Sequence, residues 1–548
     1  MKIVLISTAT TPSDQGIRTI SIVLKKAGHD VRVAFMVGPE DYSVVYSEGE
    51  LNSLLNLCRG SGLIGISSYA STAPRAVQII DYLKDKKLKS PVVWGGVHAT
   101  ISPEKCIEHC DLVCVGEGEG AILDLVKNLE KNKKIFGIKN LWVRDFETQK
   151  PTNIRLRQKP ALAPMTPHPN KLGVSKSTYN DKGKIIKNDV RPVIENLDEL
   201  PFVDYDLKNH FVLEGGVLRK FSERDLDGCV FFLTGRGCPY GCEYCSNNLF
   251  NKLYKGKCKN IVRWHSPEYI IDCILDLKKR FKSLSYFDIR DDTFLLRPLK
   301  DIKKFCELYK EKVGMRFKCL GDPKTVSEDK IKLLVDAGCT DIIIGIQGVE
   351  RVNREVYHRN QTDEHVIRAS KILSKYKNLA VMYDVITCNP YEKAEDVLNM
   401  IKLLMKLEKP YYLSVNNLVF FPGSGLYDRA IKDADLGVQV EKSWKLNYWD
   451  RSKHILLKKK NMYLVLVLNL MRGSVSHGRY GLIPGFVLKW LINEKRIERN
   501  LKNHGKTLFA LKILEVMDFL RENLFKKVYR AIFPVWLKVI YDKVRYRL

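Results

Sequence analysis

The sequence lacks any uninterrupted apolar run long enough to cross a membrane, and it is poor in acidic residues. A spanning helix needs about eighteen or more consecutive apolar residues, so we expect no integral membrane segment. The 63 acidic residues face 91 basic ones, which leaves a formal charge of +28. Cysteine is also missing from the last part of the chain, because all 14 cysteines lie at or before Cys388.

A secretory leader is a further absence. The opening Met-Lys-Ile-Val-Leu-Ile-Ser is apolar too briefly for a signal peptide and predicts a first β-strand. Many cysteines without a leader favour a reducing compartment over a disulfide scaffold, so we expect a cytoplasmic protein. With 548 residues, of which 45% are apolar, the chain can form two to four domains with sizeable cores.

Three closely spaced cysteines are the most informative feature that is present. Cys238, Cys242 and Cys245 are separated by three and then two residues. Iron–sulfur clusters are held by cysteine thiolates, usually four, so three without an obvious fourth predict a four-iron cluster with one open iron. A structural zinc knuckle is the alternative. It needs four donors, and the nearest histidines, His210 and His265, lie outside the loop.

This loop resembles the signature of radical S-adenosylmethionine enzymes, in which an aromatic residue precedes the last cysteine, as Tyr244 does here. The resemblance implies that the open iron chelates S-adenosylmethionine, and that one electron cleaves it to a 5′-deoxyadenosyl radical. It also implies that Asp291 and Asp292 bind the amino group of this cofactor, with a solvated loop pair as the alternative. Gly345 and Gln347 match the segment that contacts its ribose and methionine end.

Other parts of the same region match the family less closely. In the stretch Tyr383–Glu392, Cys388 and Tyr391 stand where glycines are common, so the local backbone shape is left open. Arg359 also matches the family, although a helix cap explains it nearly as well.

Residues 1–132 alternate short apolar strands with amphipathic helices. Such a βαβ series predicts an α/β fold with a doubly wound parallel sheet of flavodoxin or Rossmann-like type. Its ligands bind at the carboxyl ends of the strands, where this sequence is rich in glycine and hydroxyl groups. The candidate cofactor contacts at this edge are Ser67, Gly95, Gly96, His98, Gly116 and Glu117.

The N-terminal region resembles the cobalamin-binding domain that precedes many radical S-adenosylmethionine cores. Gly95-Gly96-Val-His98-Ala-Thr and Val115-Gly-Glu-Gly-Glu119 carry the resemblance. The Asp-x-His-x-x-Gly signature is absent, so cobalamin is expected to bind without that histidine ligand. Two alternatives stay open: a Rossmann-like domain that has lost its ligand, and a plain loop role for His98.

Three regions follow this domain. Residues 133–225 are richer in lysine, proline and asparagine and predict a connector. Residues 226–435 alternate strands and helices again and predict a partial (β/α)6 barrel of the radical S-adenosylmethionine type, whose chemistry belongs at the carboxyl ends of its strands. Residues 436–548 predict a basic, mainly helical region. Its predicted helices are Met462–Met471, Gly485–Ile492, Leu508–Leu524 and Val528–Tyr541.

The last 98 residues hold 22 Lys and Arg against 6 Asp and Glu, which is more than half of the excess positive charge. Segments such as Phe525–Lys538 mix aromatic anchors with lysines, which suits contact with an anionic bilayer. A solvated helical cap is one alternative and a nucleic-acid surface is another. No recognised nucleic-acid module accompanies the charge, which argues against the latter.

These features together predict a cobalamin-dependent radical S-adenosylmethionine enzyme, foremost a methyltransferase that acts on an unreactive carbon. We expect three cofactors: a [4Fe-4S] cluster, S-adenosylmethionine and cobalamin. The expected partners are a small-molecule or lipid substrate, an electron donor such as flavodoxin or ferredoxin, and the inner face of the membrane, contacted peripherally through the basic region.

Three other functions agree with part of the sequence. The first alternative is a cyclase or rearrangement enzyme with the same cofactors and no methyl transfer. The second is a non-catalytic cobalamin or iron–sulfur sensor with a nucleic-acid-binding tail. A methylthiotransferase fits less well, because its second cluster needs three further N-terminal cysteines, whereas Cys106, Cys110 and Cys114 are bunched late in that domain.

Overall fold

A computed structural model of the chain describes residues 1–38, 45–145, 184–437, 439–440, 461–501 and 504–520. They fall into two compact units. The first contains Met1–Val193 and Pro201–Phe221, and the second contains Ile194–Leu200 and the chain from Ser222 onward. Residues 133–225, predicted as a connector, are therefore divided between the units, with most of the stretch in the first.

The first unit is built on a sheet of nine strands in the order β7-β6-β5-β4-β3-β1-β2-β8-β9. The six strands from β5 to β8 in that order run parallel, and β6, β7 and β9 are antiparallel additions at the two edges. The strands are β1 Lys2–Ser7, β2 Asp30–Phe35, β3 Leu63–Ser67, β4 Val92–Gly95, β5 Leu112–Cys114, β6 Leu141–Asp145, β7 Lys184–Lys187, β8 His210–Glu214 and β9 Val217–Lys220.

Helices cover this sheet, which explains why its central strands are almost continuously apolar. All residues of β1 after Lys2 are buried. The first helix begins after Asp14, whose carboxylate accepts a hydrogen bond from the Ile17 N–H at 3.1 Å. The helices are α1 Gln15–Lys26, α2 Glu48–Cys58, α3 Ala73–Asp85, α4 Gly96–Ile101, α5 Pro103–Ile107 and α6 Glu119–Glu130.

Part of the predicted connector is tied into the first unit through Asp204. The buried Asp204 carboxylate accepts hydrogen bonds from Ser21 Oγ at 2.6 Å and pairs with Lys25 Nζ at 2.7 Å and His210 Nε2 at 3.1 Å. Its backbone oxygen accepts from Arg18 at 2.6 Å. These partners hold the pKa of Asp204 below its usual range, against the opposing effect of burial.

The second unit contains another nine-stranded sheet, in the order β10-β13-β14-β15-β16-β17-β18-β19-β20, and a separate β11-β12 pair. Its first six strands are parallel, as predicted for a partial (β/α)6 barrel, and β18 to β20 extend the sheet antiparallel. The strands are β10 Cys229–Phe232, β11 Gly235–Arg236, β12 Arg263–Trp264, β13 Tyr286–Ile289, β14 Arg316–Gly321, β15 Cys339–Gln347, β16 Ala380–Thr387, β17 Tyr411–Asn417, β18 Gly473–Ser476, β19 Arg479–Tyr480 and β20 Ile483–Pro484.

Helices follow the parallel strands, so buried and half-buried residues alternate along β14 to β17. The buried set packs under the helices and the other set lines the inner face of the sheet. The helices are α7 Ser246–Leu253, α8 Pro267–Arg280, α9 Leu299–Leu308, α10 Glu328–Asp336, α11 Asp363–Leu373, α12 Ala394–Lys406 and α13 Gly425–Ile431.

The C-terminal region is not as purely helical as predicted. Strands β18 to β20 interrupt it, because Gly473, Gly478 and Gly481 all adopt positive φ and turn the chain into tight hairpins. The helices described there are Met462–Leu470, Gly485–Leu491, Glu494–Leu501 and His504–Leu520. The predicted helix at residues 528–541 lies outside the described residues. No helix among the described residues is both long and apolar enough to span a bilayer.

Candidate active site

The three cysteines lie on the loop that follows β10, at the carboxyl edge of the second sheet. The Cys245 N–H donates to the Cys242 carbonyl at 3.0 Å, and α7 begins directly after Cys245. Gly237 has a φ of +89°, and a Cβ there would lie 2.1 Å from the Ile261 carbonyl oxygen. Only glycine fits at this point, so the loop can turn tightly before its first cysteine.

Asparagines of α7 hold the loop backbone. Asn251 Nδ2 donates to the Cys238 carbonyl at 3.0 Å, and Asn248 Nδ2 donates to the Gly241 carbonyl at 2.7 Å. The loop shape is thus fixed by protein contacts made independently of the thiol groups.

The thiols themselves sit in a shielded environment. Burial raises the pKa of Cys238 to about 12 and that of Cys245 to about 11, and it also raises the pKa of Cys242. The three groups act electrostatically on one another, and Asp292 adds to the effect on Cys238 and Cys245. Because metals bind the thiolate form, loading iron here must release protons.

The donor set fits a cluster better than a zinc ion. Within the described ranges, no group of three or more His, Cys, Asp or Glu side chains converges on a single metal position. His265 is engaged by Asp198 at 3.0 Å and stacks on Tyr269, and His210 pairs with Asp204. Three thiols on a preshaped loop match a [4Fe-4S] cluster whose fourth iron is left for another ligand.

Asp291 and Asp292, predicted as a pair, occupy different environments. The buried Asp291 carboxylate accepts from the Thr234 N–H at 2.6 Å, from the Gly235 N–H at 3.1 Å and from the Thr234 hydroxyl. Arg297 lies 3.9 Å away and donates to the Thr234 carbonyl at 2.6 Å. Asp291 therefore clamps the start of the cysteine loop to the end of β13.

The Asp292 side chain is exposed to solvent, whereas that of Asp291 is buried. The Asp292 side chain retains exposed surface although protein surrounds it. This partial burial raises the pKa of Asp292, whereas a hydrogen bond with Asn247 acts to lower it. It lies close enough to Cys238 and Cys245 to influence both thiols. Of the two carboxylates, Asp292 is the one available to an ammonium group beside the cysteines.

Arg359 connects three loops of this edge. Its guanidinium donates to Tyr244 Oη at 3.0 Å, to Asp322 Oδ2 at 2.6 Å and to the Gly345 carbonyl at 2.8 Å. Gln361 accepts a further bond at 3.0 Å. The sequence indicated Arg359 only by family likeness. The structure shows that Arg359 positions Tyr244, because it donates a hydrogen bond to the Tyr244 hydroxyl.

Gly345 and Gln347 form an irregular end to β15. A β-bulge separates them, and Gln347 adopts a φ of +66°. A Cβ at Gly345 would lie 2.5 Å from Gln347 Nε2, so the Gln347 side chain packs closely over this glycine. The backbone at Cys388, which the sequence left open, also adopts a positive φ of +59°, as the usual glycine would.

The edge of the first unit carries hydroxyl groups and bare backbone. Ser67 Oγ and Ser7 Oγ donate to Asp14 Oδ2 at 3.0 and 2.8 Å. Ser7 and Asp14 were not among the predicted contacts, although Ser7 ends β1 and Asp14 caps the helix that follows it. The signal in the sequence that could have indicated them was the end of a predicted strand followed by an aspartate that caps the next helix.

The predicted glycines and His98 fall into two groups. Gly96 and Gly116 have φ of +86° and +81°, and a Cβ at Gly96 would lie 2.8 Å from Ser67 Oγ. Gly95 and Glu117 are half-buried beside them. His98 is buried instead, with its ring 5.7 Å from that of Trp94, and burial lowers its pKa to about 4. Side-chain-free backbone at this edge fits a large planar cofactor.

Comparison with known families agrees with both edges. Residues 1–126 match the B12 binding domain, and residues 232–404 match the Radical SAM superfamily. The chain belongs to the cobalamin-binding radical S-adenosylmethionine enzymes. The predicted fold class and the three predicted cofactors are thereby confirmed. Reductive cleavage of S-adenosylmethionine by enzymes of this superfamily requires an electron donor, and small molecules are among their substrates.

Individual relatives are distant. An uncharacterized methyltransferase of Pyrococcus horikoshii is 26% identical over 377 residues, covering 67% of this chain and 69% of the relative. The radical S-adenosylmethionine methyltransferase TsrM of Kitasatospora setae, solved with cobalamin and a [4Fe-4S] cluster, gives a TM-score of 0.56 at 17% identity, over 79% of this chain and 74% of the other. OxsB, solved with aqua-cobalamin and S-adenosylmethionine, gives a TM-score of 0.57 at 16% identity, over 95% of this chain and 75% of the other. Both structural likenesses show a shared fold.

Proposed function

We propose that this enzyme transfers a methyl group to an unactivated carbon of a small molecule. The observation that carries the proposal is the joint presence of a B12 binding domain and a radical S-adenosylmethionine domain. The methyltransferases among its relatives support it. When bound, the cluster with S-adenosylmethionine supplies a hydrogen-abstracting radical, and cobalamin supplies a transferable methyl group.

The residues of the second unit divide the work of holding the first two cofactors. Cys238, Cys242 and Cys245 provide the three thiolates. Asp292 offers a carboxylate to the ammonium group of S-adenosylmethionine, because an ionised acceptor forms a short, strong bond with that donor. Gly345 and Gln347 leave backbone accessible at the neighbouring strand end.

The residues at the carboxyl edge of the first unit would hold the corrinoid. Gly95, Gly96 and Gly116 let the ring approach the backbone, and Ser67 and Glu117 line the same edge. His98 is buried among core residues, so it supports the edge from below.

Anaerobic reconstitution with iron, sulfide and hydroxocobalamin tests the proposal. Incubation with methyl-labelled S-adenosylmethionine and a reductant should give 5′-deoxyadenosine and label in the corrinoid fraction. Formation of 5′-deoxyadenosine with no label ever entering the corrinoid would favour the cyclase or rearrangement alternative. Failure of both readouts in cluster-loaded protein would refute the enzyme assignment.

We also propose a cytoplasmic location with peripheral contact between the C-terminal region and an anionic membrane. The helix His504–Leu520 exposes Phe509, Ile513, Val516 and Met517 to solvent, and Lys506 and Lys512 are exposed on the same helix. Apolar side chains flanked by lysines suit an anionic headgroup layer. Co-sedimentation with phosphatidylglycerol vesicles, and not with phosphatidylcholine vesicles, is expected, and Phe509→Glu should abolish it. Equal recovery with both lipids would contradict the contact.

A further inference from the structure

The cysteine loop reaches the protein surface beside two of its three cysteines. Pro239, which follows Cys238, and Gly241, which precedes Cys242, are both exposed. Pro239 also borders a cavity of about 540 Å³, which is lined on its other side mainly by Asn260–Trp264. This side of the loop is therefore open to a large partner.

The helix α7, which follows the loop, differs from α8 to α13 because none of its residues is fully buried. Leu249, Phe250 and Leu253 are only half-buried although their side chains are apolar. Asn251 of the same helix donates to the Cys238 carbonyl at 3.0 Å, so α7 is attached directly to the cysteine loop. Partly exposed apolar side chains at this position can form the apolar centre of a protein interface.

The chain around α7 is basic. Residues 244–267 contain five Lys and Arg and no acidic residue, whereas each of the helices α8 to α12 carries at least two acidic residues. Lys252, Lys255 and Lys259 are exposed, and none of their ammonium groups has an ion-pair partner in the described part of the chain. We call these three lysines the basic patch. Glu195 borders the cavity, and its Oε1 accepts the Lys259 N–H at 2.8 Å.

A fourth cation contacts the cysteine loop itself. Lys324 Nζ lies 4.3 Å from the centre of the Tyr240 ring, which belongs to the loop. The acidic residue of the loop, Glu243, pairs with His358 at 2.9 Å. Four lysines thus stand against two carboxylates, Glu195 and Glu243, each of which already has a partner. The surface beside the loop has an excess of positive charge.

Reductive cleavage of S-adenosylmethionine consumes an electron that must come from another molecule. Electron transfer between proteins requires their redox centres to approach closely, and the exposed side of the cysteine loop offers such an approach. A positively charged surface attracts a negatively charged partner and accelerates their encounter. Asp292 does not oppose this charge, because its carboxylate is assigned to the ammonium group of S-adenosylmethionine.

We propose that the basic patch, together with the apolar residues of α7, docks an acidic protein that carries single electrons on a flavin or an iron–sulfur centre. The donor gives one electron to the cluster and is itself oxidised by one electron, and no bond forms or breaks in this step. The inference rests on the reductive cleavage within the proposed function, to which it adds the partner that supplies the electron and the surface that binds it.

Calorimetric titration of the reconstituted holoenzyme with oxidised flavodoxin, an acidic flavin carrier, tests the docking without turnover. The affinity should fall as salt is added, because salt screens exposed charges. Lys252→Glu/Lys255→Glu/Lys259→Glu should weaken binding about tenfold or more, since each reversal replaces an attraction by a repulsion. Undiminished binding by this patch variant, or loss of duplex DNA binding in place of flavodoxin binding, would overturn the inference.

The matched control reverses three exposed lysines on other helices of the same unit. Lys303→Glu/Lys332→Glu/Lys371→Glu alters one residue each of α9, α10 and α11 and changes the net charge of the enzyme by the same amount. It should bind flavodoxin as the unmodified enzyme does. An equal loss of affinity in the control would show that net charge rather than the basic patch determines binding, which would overturn the inference.

Formation of 5′-deoxyadenosine separates docking from damage to the cluster. With reduced flavodoxin the patch variant should form it about tenfold more slowly at low salt, whereas with sodium dithionite, which needs no docking, its rate should equal that of the unmodified enzyme. An equal loss with dithionite would overturn the inference, and so would an unmodified enzyme that uses dithionite but neither binds nor uses flavodoxin. Inactivity of the cluster-loaded unmodified enzyme with dithionite would refute the proposed function instead.

Discussion

The ligand edges of the two units differ in the chemical groups that they carry. The edge of the first unit consists of glycine backbone and hydroxyl groups around Gly96 and Ser67, with the Asp14 carboxylate accepting from the hydroxyl groups of Ser7 and Ser67. The edge of the second consists of thiols, carboxylates and an arginine, on loops that the hydrogen bonds of Asn251, Asp291 and Arg359 hold in place. A large cofactor that brings its own reactive metal needs room, whereas a cluster needs donors and an exact loop shape. The difference shows what each unit contributes to the reaction.

Removal of a thiol should have the largest effect. Cys238→Ala leaves two thiolates, which cannot hold the open-site cluster, so iron content and 5′-deoxyadenosine formation should fall to background. Cobalamin binding by the first unit should persist. Cys258→Ala, which alters a half-buried cysteine outside the loop, is the control and should retain the cluster. Full iron content in Cys238→Ala would contradict the assignment of the ligands.

The two neighbouring aspartates should separate stability from binding. Asp291→Asn removes the charged acceptor of the Thr234 and Gly235 N–H groups and should lower the free energy of unfolding by about 2 kcal/mol. Asp292→Asn should leave that free energy nearly unchanged and weaken S-adenosylmethionine binding. Chemical denaturation and equilibrium dialysis of both variants check this. Equal effects of the two substitutions on stability would show that the clamp is not specific to Asp291.

Adding a methyl group to the ligand edge of the first unit should weaken cobalamin binding and leave the cluster intact. Gly96→Ala forces a Cβ to 2.8 Å from Ser67 Oγ at a positive φ, so cobalamin affinity should fall about tenfold. Gly28→Ala is the matched control, because Gly28 has a φ of +89° with nothing within 4 Å of its Cβ position. It incurs the same backbone strain of about 1 kcal/mol and should bind cobalamin normally.

The smallest effect concerns pH, to which the two units should respond in opposite directions. Burial raises the pKa of Glu392 in the second unit from 4.5 to about 8. The folded state then keeps a proton that the unfolded chain has lost, so this contribution to stability is lost as pH rises from 4.5 through 8. His98 in the first unit, with its lowered pKa, loses its contribution as pH falls from 6.5 towards 4.

Glu392→Gln tests this difference. The variant should lose less stability than the unmodified protein between pH 6 and pH 8.5 in chemical denaturation. Glu395→Gln, at an exposed position of α12, should behave like the unmodified protein. Parallel profiles of stability against pH for all three proteins would contradict the raised pKa of Glu392.

Strand periodicity and cysteine spacing were sufficient to predict the two parallel sheets and the cysteine loop, because both depend on residues close together in sequence. The Asp291 clamp depends on a contact with Thr234, 57 residues earlier, which no local pattern reveals. The same applies to Arg359 and Tyr244. The C-terminal hairpins were missed for a different reason, since helices were predicted only on either side of residues 472–484 and the three glycines between them carried no prediction.

The clamp between β13 and the cysteine loop has a consequence for maturation of the enzyme. Asp291 can hold Thr234 only after β10 and β13 have paired, so the receptacle takes its shape through chain folding rather than through iron. Insertion of the inorganic core should therefore be a late event, performed on an already folded apoprotein. A delivery system would need to recognise a finished surface and would not have to accompany the nascent chain.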